Sequence, residues 1–164
     1  MKKLLLILLC LPFIGFGQQT YVPDDNFEAY LEANGMGDGI PWNDSVRTSA
    51  IDTVVSLEVN DGYQGYHIFD LTGIEDFIAL TYLNCKNNNI TNLDLSNNIA
   101  LDFLRCSNNQ LISLNLSANT NLTFLDCGDN QLASLDISNN TNLITLDSTS
   151  GLSVGDIINF TLAN

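Results

Sequence analysis

The sequence predicts a solenoid of short stacked repeats, with a parallel β-sheet on the concave face and a mostly non-helical convex side. Residues 80–100, 101–121 and 122–142 share the pattern LxxLxCxxNx(L/I)xxLx(L/I)Sx, and self-similarity at a fixed period is typical of a solenoid. Within LxxLxC the apolar residues alternate, as on a strand with one buried face. The 21-residue period leaves little room for a helix, so we expect extended or short 3₁₀ structure opposite the strands.

The repeats extend beyond these three regular copies over 80–142. A degenerate copy begins at Val54 and the pattern breaks at Gly151, so the sequence predicts repeats over 54–152. One repeat buries too little apolar surface to offset the entropy of ordering its own chain. Neighbouring repeats must therefore share a core, and the two ends of the solenoid need caps.

Residues 18–53 are predicted to form the N-terminal cap, with a helix at about 25–34. In this prediction Asp25 is the N-cap, Glu28 completes a capping box, and Gly35 ends the helix. The apolar face of the helix would consist of Phe27, Tyr30 and Leu31.

At the other end, residues 153–164 predict only a weak C-terminal cap or a truncated end. Ser153 and Asp156 could begin a short helix, whereas the isoleucine, phenylalanine and threonine residues that follow favour a strand.

Residues 1–17 have the layout of a secretory signal peptide. Lys2 and Lys3 precede an apolar run that ends in Gly15-Phe16-Gly17 and is too short to span a membrane. The lipoprotein alternative needs Cys10 as lipid acceptor, and it is disfavoured because Leu9 stands where that signal has a small residue. Without residues 1–17, three basic residues face 19 acidic ones, a net charge of −16. This balance disfavours nucleic acid and anionic membranes as partners.

The repeat motif LxxLxCxxNxL resembles that of the leucine-rich repeat family. The segment "IFDLTGIEDFIALTYL", residues 68–83, resembles the N-terminal repeat of bacterial internalin-like proteins. The order of a signal peptide, "YVPDDNFEAYLEANG" and cysteine-bearing short repeats resembles secreted leucine-rich repeat proteins of Bacteroidota. The resemblance implies binding at the cell surface or outside the cell, and many of these relatives carry a C-terminal sorting domain.

On the predicted sheet, the residues between the inward leucines and cysteines face outward. We expect ligand binding on this face by Tyr82, Asn84, Lys86, Phe103, Arg105, Phe124 and Asp126. The three aromatic residues recur one repeat apart, so they stack in a row. Such a row stabilises neighbouring strands, and it also offers a contact patch, because aligned exposed aromatics are unusual on a monomer. The sequence leaves both interpretations open.

Two further sets of residues are predicted to be structural ladders. One set consists of Cys85, Cys106 and Cys127, and the other of Asn88, Asn109 and Asn130. The cysteines are odd in number and lie alongside one another, so we expect buried free thiols rather than a disulfide framework. The asparagines recur where each strand turns, and we expect their amides to hydrogen-bond the backbone of adjacent coils. Zinc is disfavoured because His67 is the only histidine.

A third recurring pattern, Asp/Asn-x-Ser-x-Asn, begins at Asp94, Asn115 and Asp136. Oxygen ligands at alternate positions are typical of calcium loops. Turn residues that bond to their own backbone give the same pattern, and we favour this interpretation over calcium.

The sequence contains no nucleophile–base arrangement and no phosphate-binding glycine loop, so we expect no enzyme activity and no cofactor. The favoured function is a secreted or cell-surface binding module, monomeric and without a membrane span, whose sheet face binds a protein. Polysaccharide binding is the alternative ligand class. A passive spacer, or a fragment of a larger surface protein, is the alternative from another class.

Overall fold

The structure, a computed structural model, describes residues 17–60 and 67–148 together with the backbone of residues 157–158. The predicted signal peptide, except Gly17, lies outside this range, as does most of the predicted C-terminal cap. The strands are β1 (Gln19–Tyr21), β2 (Ser45–Arg47), β3 (Ser56–Glu58), β4 (Tyr82–Asn84), β5 (Phe103–Arg105), β6 (Phe124–Asp126), β7 (Leu135–Asp136), β8 (Thr145–Asp147) and β9 (Ile157–Ile158). The helices are α1 (Asp25–Ala33) and α2 (Thr48–Ile51), with a 3₁₀ turn at Ile74–Asp76.

The strands β3, β4, β5, β6 and β8 form one parallel sheet in that order, with one strand from each coil. Leu83, Leu104 and Leu125 pair with one another across β4, β5 and β6, and all three are fully buried. A one-residue slip would turn these leucines to solvent, so their burial sets the register. The predicted parallel-strand solenoid is therefore confirmed.

Opposite this sheet the described chain is mostly turns and bends, apart from the 3₁₀ turn. The strand β7 pairs in parallel with β9, which matches Leu135 with Ile157. The segment 153–164 thus contributes a short strand at 157–158, one of the two structures that its sequence allows. Within the described residues, no helix is both long and apolar enough to cross a membrane.

The N-terminal cap packs directly on the first repeats. The ring of Phe27 on α1 stacks on that of Phe77, with centroids 6.4 Å apart, and both side chains are fully buried. The strands β1 and β2 pair antiparallel beside the helix. Gly73 has φ 103°, and a β-carbon there would lie 2.8 Å from the carbonyl oxygen of Tyr21. Only glycine allows the cap to approach this closely.

The helix N-cap is Asp24, so the prediction of Asp25 is wrong. Asp24 has an extended backbone, and its Oδ1 accepts hydrogen bonds of 2.9 Å from the amides of Asn26 and Phe27. Its second oxygen, Oδ2, accepts from the amides of Phe69 at 2.8 Å and Asp70 at 3.0 Å. One carboxylate therefore begins the helix and ties it to the first repeat.

The predicted capping box is also wrong. Glu28 is 1% exposed, and its two oxygens accept hydrogen bonds of 3.1 Å from the amides of Asn43 and Asp44. With Asp24 as N-cap, Glu28 lies one position too late to bond back to the cap amide. Its carboxylate instead fixes the loop that leads into β2.

Candidate functional site

The candidate site is the outward face of the five-stranded sheet. Tyr82 pairs in register with Phe103, and Phe103 pairs with Phe124. Their rings form a continuous stack, which we call the aromatic column. The ring centroids of Tyr82 and Phe103 are 4.5 Å apart with planes 12° from parallel, and those of Phe103 and Phe124 are 4.2 Å apart at 5°. All three side chains are half-buried.

The rings of the aromatic column stand on edge above the sheet. Their centroid separations are close to the roughly 4.8 Å between neighbouring strands, and their planes are nearly parallel. Rings lying flat on the sheet would be side by side and could not approach this closely. The inner ring faces are therefore covered by neighbouring rings, and ring edges point to solvent. Because aromatic edges carry partial positive charge, this rim favours electron-rich atoms.

Arg105 is held beside the aromatic column. Its guanidinium carbon lies 5.4 Å from the ring centroids of both Phe103 and Phe124. Its Nε donates a 3.1 Å hydrogen bond to Oδ2 of Asp126, and the same oxygen accepts a 2.9 Å bond from the hydroxyl of Ser107. The side chain of Arg105 is 31% exposed and that of Asp126 15%. Ring contacts and the carboxylate thus fix the arginine in one position.

Tyr82 ends the aromatic column on the side of β3. Its hydroxyl donates a 2.9 Å hydrogen bond to Oε1 of Glu58. Burial, followed by the hydrogen bond and negative charge of Glu58, raises the pKa of Tyr82 above its ordinary value. The hydrogen bond to Glu58 thus fixes the phenol as a donor.

Asn84 was predicted as a ligand-binding residue, and the structure contradicts its exposure. The residue is 5% exposed, and it pairs in register with Glu58 on one side and Arg105 on the other. Both neighbours have longer side chains than the amide between them. Its Oδ1 accepts a long, 3.4 Å hydrogen bond from the amide of Lys86. Asn84 is therefore a buried residue of the sheet, whereas Lys86 is half-buried and reaches the surface.

Directly under the sheet face lie Cys85, Cys106 and Cys127. They are free thiols, and none is more than 2% exposed. Burial raises the pKa of Cys85 and of Cys127 to about 12, and it raises that of Cys106 as well. Because the thiolate is the reactive form, these cysteines are apolar core at neutral pH rather than nucleophiles.

Asn88, Asn109 and Asn130 occupy equivalent turns and make equivalent bonds. The Nδ2 of Asn109 donates to the carbonyls of Cys85 and Cys106, both at 3.0 Å, and its Oδ1 accepts from the amide of Ile90 at 3.0 Å. The corresponding atoms of Asn88 and Asn130 repeat this pattern one coil away on either side. Each amide therefore bonds its own coil to the preceding one.

A second asparagine ladder was not recognised from the sequence. It consists of Asn98, Asn119 and Asn140, which are at most 2% exposed. Nδ2 of Asn119 donates to the carbonyls of Leu95 and Asn98, both at 3.0 Å. The signal was available, because asparagine recurs at the nineteenth position of every regular repeat. The interpretation of Asp94, Ser96 and Asn98 as one local turn motif does not predict this ladder.

The calcium alternative for that motif has no support in the geometry. Oδ1 of Asp94 accepts a 3.0 Å hydrogen bond from the amide of Ser96, the bond expected of a turn. Asn98 is fully buried, and its Nδ2 donates hydrogen bonds to the carbonyls of Ile74 and Phe77, so this amide bonds to the backbone of the preceding coil. Elsewhere in the described part of the chain, oxygens of Asp25, Glu28 and Asp44 lie within 4.8 Å of one another. Both oxygens of Glu28 already accept backbone amides.

The comparisons with known proteins concern mainly the repeats. No protein family model matches the chain. Internalin J of Listeria monocytogenes serotype 4b (strain F2365) is 37% identical over 78 residues, which is 48% of this chain. The structure of the functional domain of InlJ from Listeria monocytogenes, which includes a cysteine ladder, is 37% identical over 79% of this chain with a TM-score of 0.65. The fold is a leucine-rich repeat solenoid.

A second internalin supports the leucine-rich repeat fold by structure alone. InlF of Listeria monocytogenes strain 4b F2365 is 22% identical, with a TM-score of 0.63 over 77% of this chain. The present chain is much shorter than these relatives. It covers 8% of the length of internalin J, 28% of the InlJ structure and 43% of the InlF structure.

Proposed function

We propose that this internalin-like chain is a non-enzymatic binding module that contacts a protein partner through the face of its parallel sheet, outside the cell or at the cell surface. The observation that carries the proposal is the aromatic column with Arg105 fixed beside it. Aromatic residues and arginine are enriched among the residues that dominate binding energy at protein interfaces. A cluster whose side chains are pre-organised in this way loses little side-chain entropy on binding.

A protein ligand fits the aromatic column better than a polysaccharide. Sugar rings stack on the faces of aromatic side chains, but neighbouring rings cover both faces of Phe103 and the inner faces of Tyr82 and Phe124. Ring edges and a guanidinium instead suit the carbonyls, carboxylates and apolar side chains of a polypeptide. Secretion is proposed from the sequence of residues 1–17 and from the similarity to internalins.

Binding to purified candidate partners tests the proposal with matched variants. Surface proteins that cross-link to the wild-type chain are identified, purified and titrated against Phe103→Ser and the control Ile112→Ser. Ile112 is 67% exposed and lies outside the sheet. We expect Phe103→Ser to weaken binding at least about tenfold and Ile112→Ser to leave it unchanged.

The competing interpretation is a passive spacer whose aromatic column serves only stability. In that case Phe103→Ser destabilises the fold but binds every partner as tightly as the wild type does, at a temperature where both are folded. Equal loss of binding in the two variants would also count against the sheet face.

A further inference from the structure

We infer that the sheet face binds a carboxylate, a glutamate or aspartate side chain of the partner protein, between Arg105 and the exposed edges of Phe103 and Phe124. This inference rests on the proposed function and names the chemistry of its ligand.

The guanidinium of Arg105 has hydrogen-bond donors that its neighbours do not use. Asp126 engages only Nε, through a single carboxylate oxygen at 3.1 Å. Among the described residues, neither terminal nitrogen of the guanidinium donates a hydrogen bond. A guanidinium offers five N–H donors in a fixed fork that matches the two oxygens of a carboxylate. The contact with Asp126 leaves the terminal pair of this fork available.

The guanidinium of Arg105 is already oriented before a ligand binds. Its carbon is equidistant, at 5.4 Å, from the centroids of Phe103 and Phe124, and Asp126 is itself held by the hydroxyl of Ser107 at 2.9 Å. A free arginine loses several rotamers when it binds. Here the rings and Asp126 remove most of that freedom before the ligand arrives.

The positive charges on this part of the sheet face complement a carboxylate. Residues 54–152 contain one arginine, Arg105, and one lysine, Lys86, in a chain whose net charge is −14. Asn84 pairs with Arg105, and Lys86 lies two residues after Asn84 on the same face. The α-carbons of Lys86 and Arg105 therefore lie roughly 8 Å apart. No described residue accepts a hydrogen bond from the Lys86 ammonium. The positive ring edges of the aromatic column lie beside the Arg105 guanidinium, so they add to its attraction for an anion.

The test is a titration of isotope-labelled protein with the blocked peptide acetyl-Gly-Glu-Gly-amide. The uncharged peptide acetyl-Gly-Gln-Gly-amide is titrated as its match. NMR chemical shifts of the protein report binding in both titrations. We expect the glutamate peptide to shift the Arg105 Nε–H signal and the ring protons of Phe103 and Phe124 to saturation. The glutamine peptide should bind at least about tenfold more weakly, because it removes a charge-assisted pair of hydrogen bonds. Arg105→Gln should weaken binding of the glutamate peptide by about the same factor, and Arg47→Gln, a basic residue outside the repeats, should not.

Equal binding of the two peptides, or an unchanged affinity in Arg105→Gln, would overturn the carboxylate assignment. Tighter binding of free galacturonate than of the glutamate peptide would overturn the choice of a protein ligand. The proposed function is tested separately, because Phe103→Ser is titrated with a whole partner protein. Loss of partner binding in that variant, together with a failed peptide titration, would retain the sheet face and reject only its carboxylate site.

Discussion

Phe103 and Phe124, one repeat apart, stack with ring centroids 4.2 Å apart and planes 5° from parallel. Their strands are hydrogen-bonded neighbours in the sheet, so the ring spacing follows from the strand spacing. Phe103 also stacks on Tyr82, which makes it the only ring of the aromatic column with two ring neighbours.

Phe103→Ser should lower the free energy of unfolding by about 2 kcal/mol, and Phe124→Ser by about half as much. Each aromatic pair contributes about 0.5–1.5 kcal/mol beyond the burial of apolar area, and Phe103 takes part in two pairs. Urea denaturation of the two variants checks the order. An equal or larger loss of stability in Phe124→Ser than in Phe103→Ser would contradict the prediction that stacking on two rings makes Phe103 the more important residue.

Asp24→Ala should lower the free energy of unfolding by about 2 kcal/mol, whereas Asp25→Ala should change it by less than about 0.5 kcal/mol. Loss of an N-cap costs about 1 kcal/mol, and Asp24 also accepts the amides of Phe69 and Asp70. Asp25 is exposed at the first position of α1. Thermal and urea unfolding of the pair measure the difference. Similar losses for the two residues would contradict the assignment of Asp24 as the cap.

Asn109→Ala should be among the most damaging single changes, with a loss of at least about 3 kcal/mol. It leaves the carbonyls of Cys85 and Cys106 and the amide of Ile90 without this partner, and a buried unsatisfied polar group costs about 1–3 kcal/mol. The control is Asn121→Ala, an exposed residue that donates one hydrogen bond to Ile99. The control should lose less than about 1 kcal/mol.

Stability should fall as the pH rises from about 9 to 12. Burial raises the pKa of Cys85 to about 12 from an ordinary value near 9. The unfolded chain therefore releases this proton at lower pH than the folded chain does. The stabilisation from the protonated thiol is complete below pH 9, and about 1.4 kcal/mol is lost per pH unit above it.

Cys85→Ala provides the control for this pH dependence. The variant should be less stable at pH 7, because it loses a buried sulfur atom, but its stability should fall less steeply above pH 9. Urea denaturation at a series of pH values measures both slopes. Parallel slopes for wild type and variant would show that Cys85 does not carry the effect.

The stacking register could be predicted from the sequence because the same residue types recur at one fixed spacing. Once coils of 21 residues stack, Tyr82, Phe103 and Phe124 must be neighbours, and so must the three cysteines beneath them. The alternation of apolar residues further indicates which side chains face the core. These features are local and periodic, so no tertiary contact had to be known.

The contacts that escaped prediction depend on segments distant in the chain. Asp24 and Asp25 are equally good N-caps by type, and the bonds from the amides of Phe69 and Asp70 to Asp24 cannot be read from the local sequence. Glu28 resembles a capping residue in the sequence, but in the structure its carboxylate accepts a hydrogen bond from the amide of Asn43, 15 residues later. Asn84 alternates outward as expected, but the structure buries it between its register partners, Glu58 and Arg105, and alternation alone does not predict this burial.

The asparagine bonds also have a direction along the solenoid. Asn109 bonds to the coil before it, through Cys85 and Ile90, and Asn130 makes the same bonds to the coil of Asn109. Each repeat thus carries the side chain that joins it to its predecessor and presents the backbone groups that its successor will use. A duplicated repeat would therefore make the same hydrogen bonds to its two neighbours as the existing repeats make. The length of the sheet face can change in evolution by whole copies of 21 residues, each adding one more row to the surface.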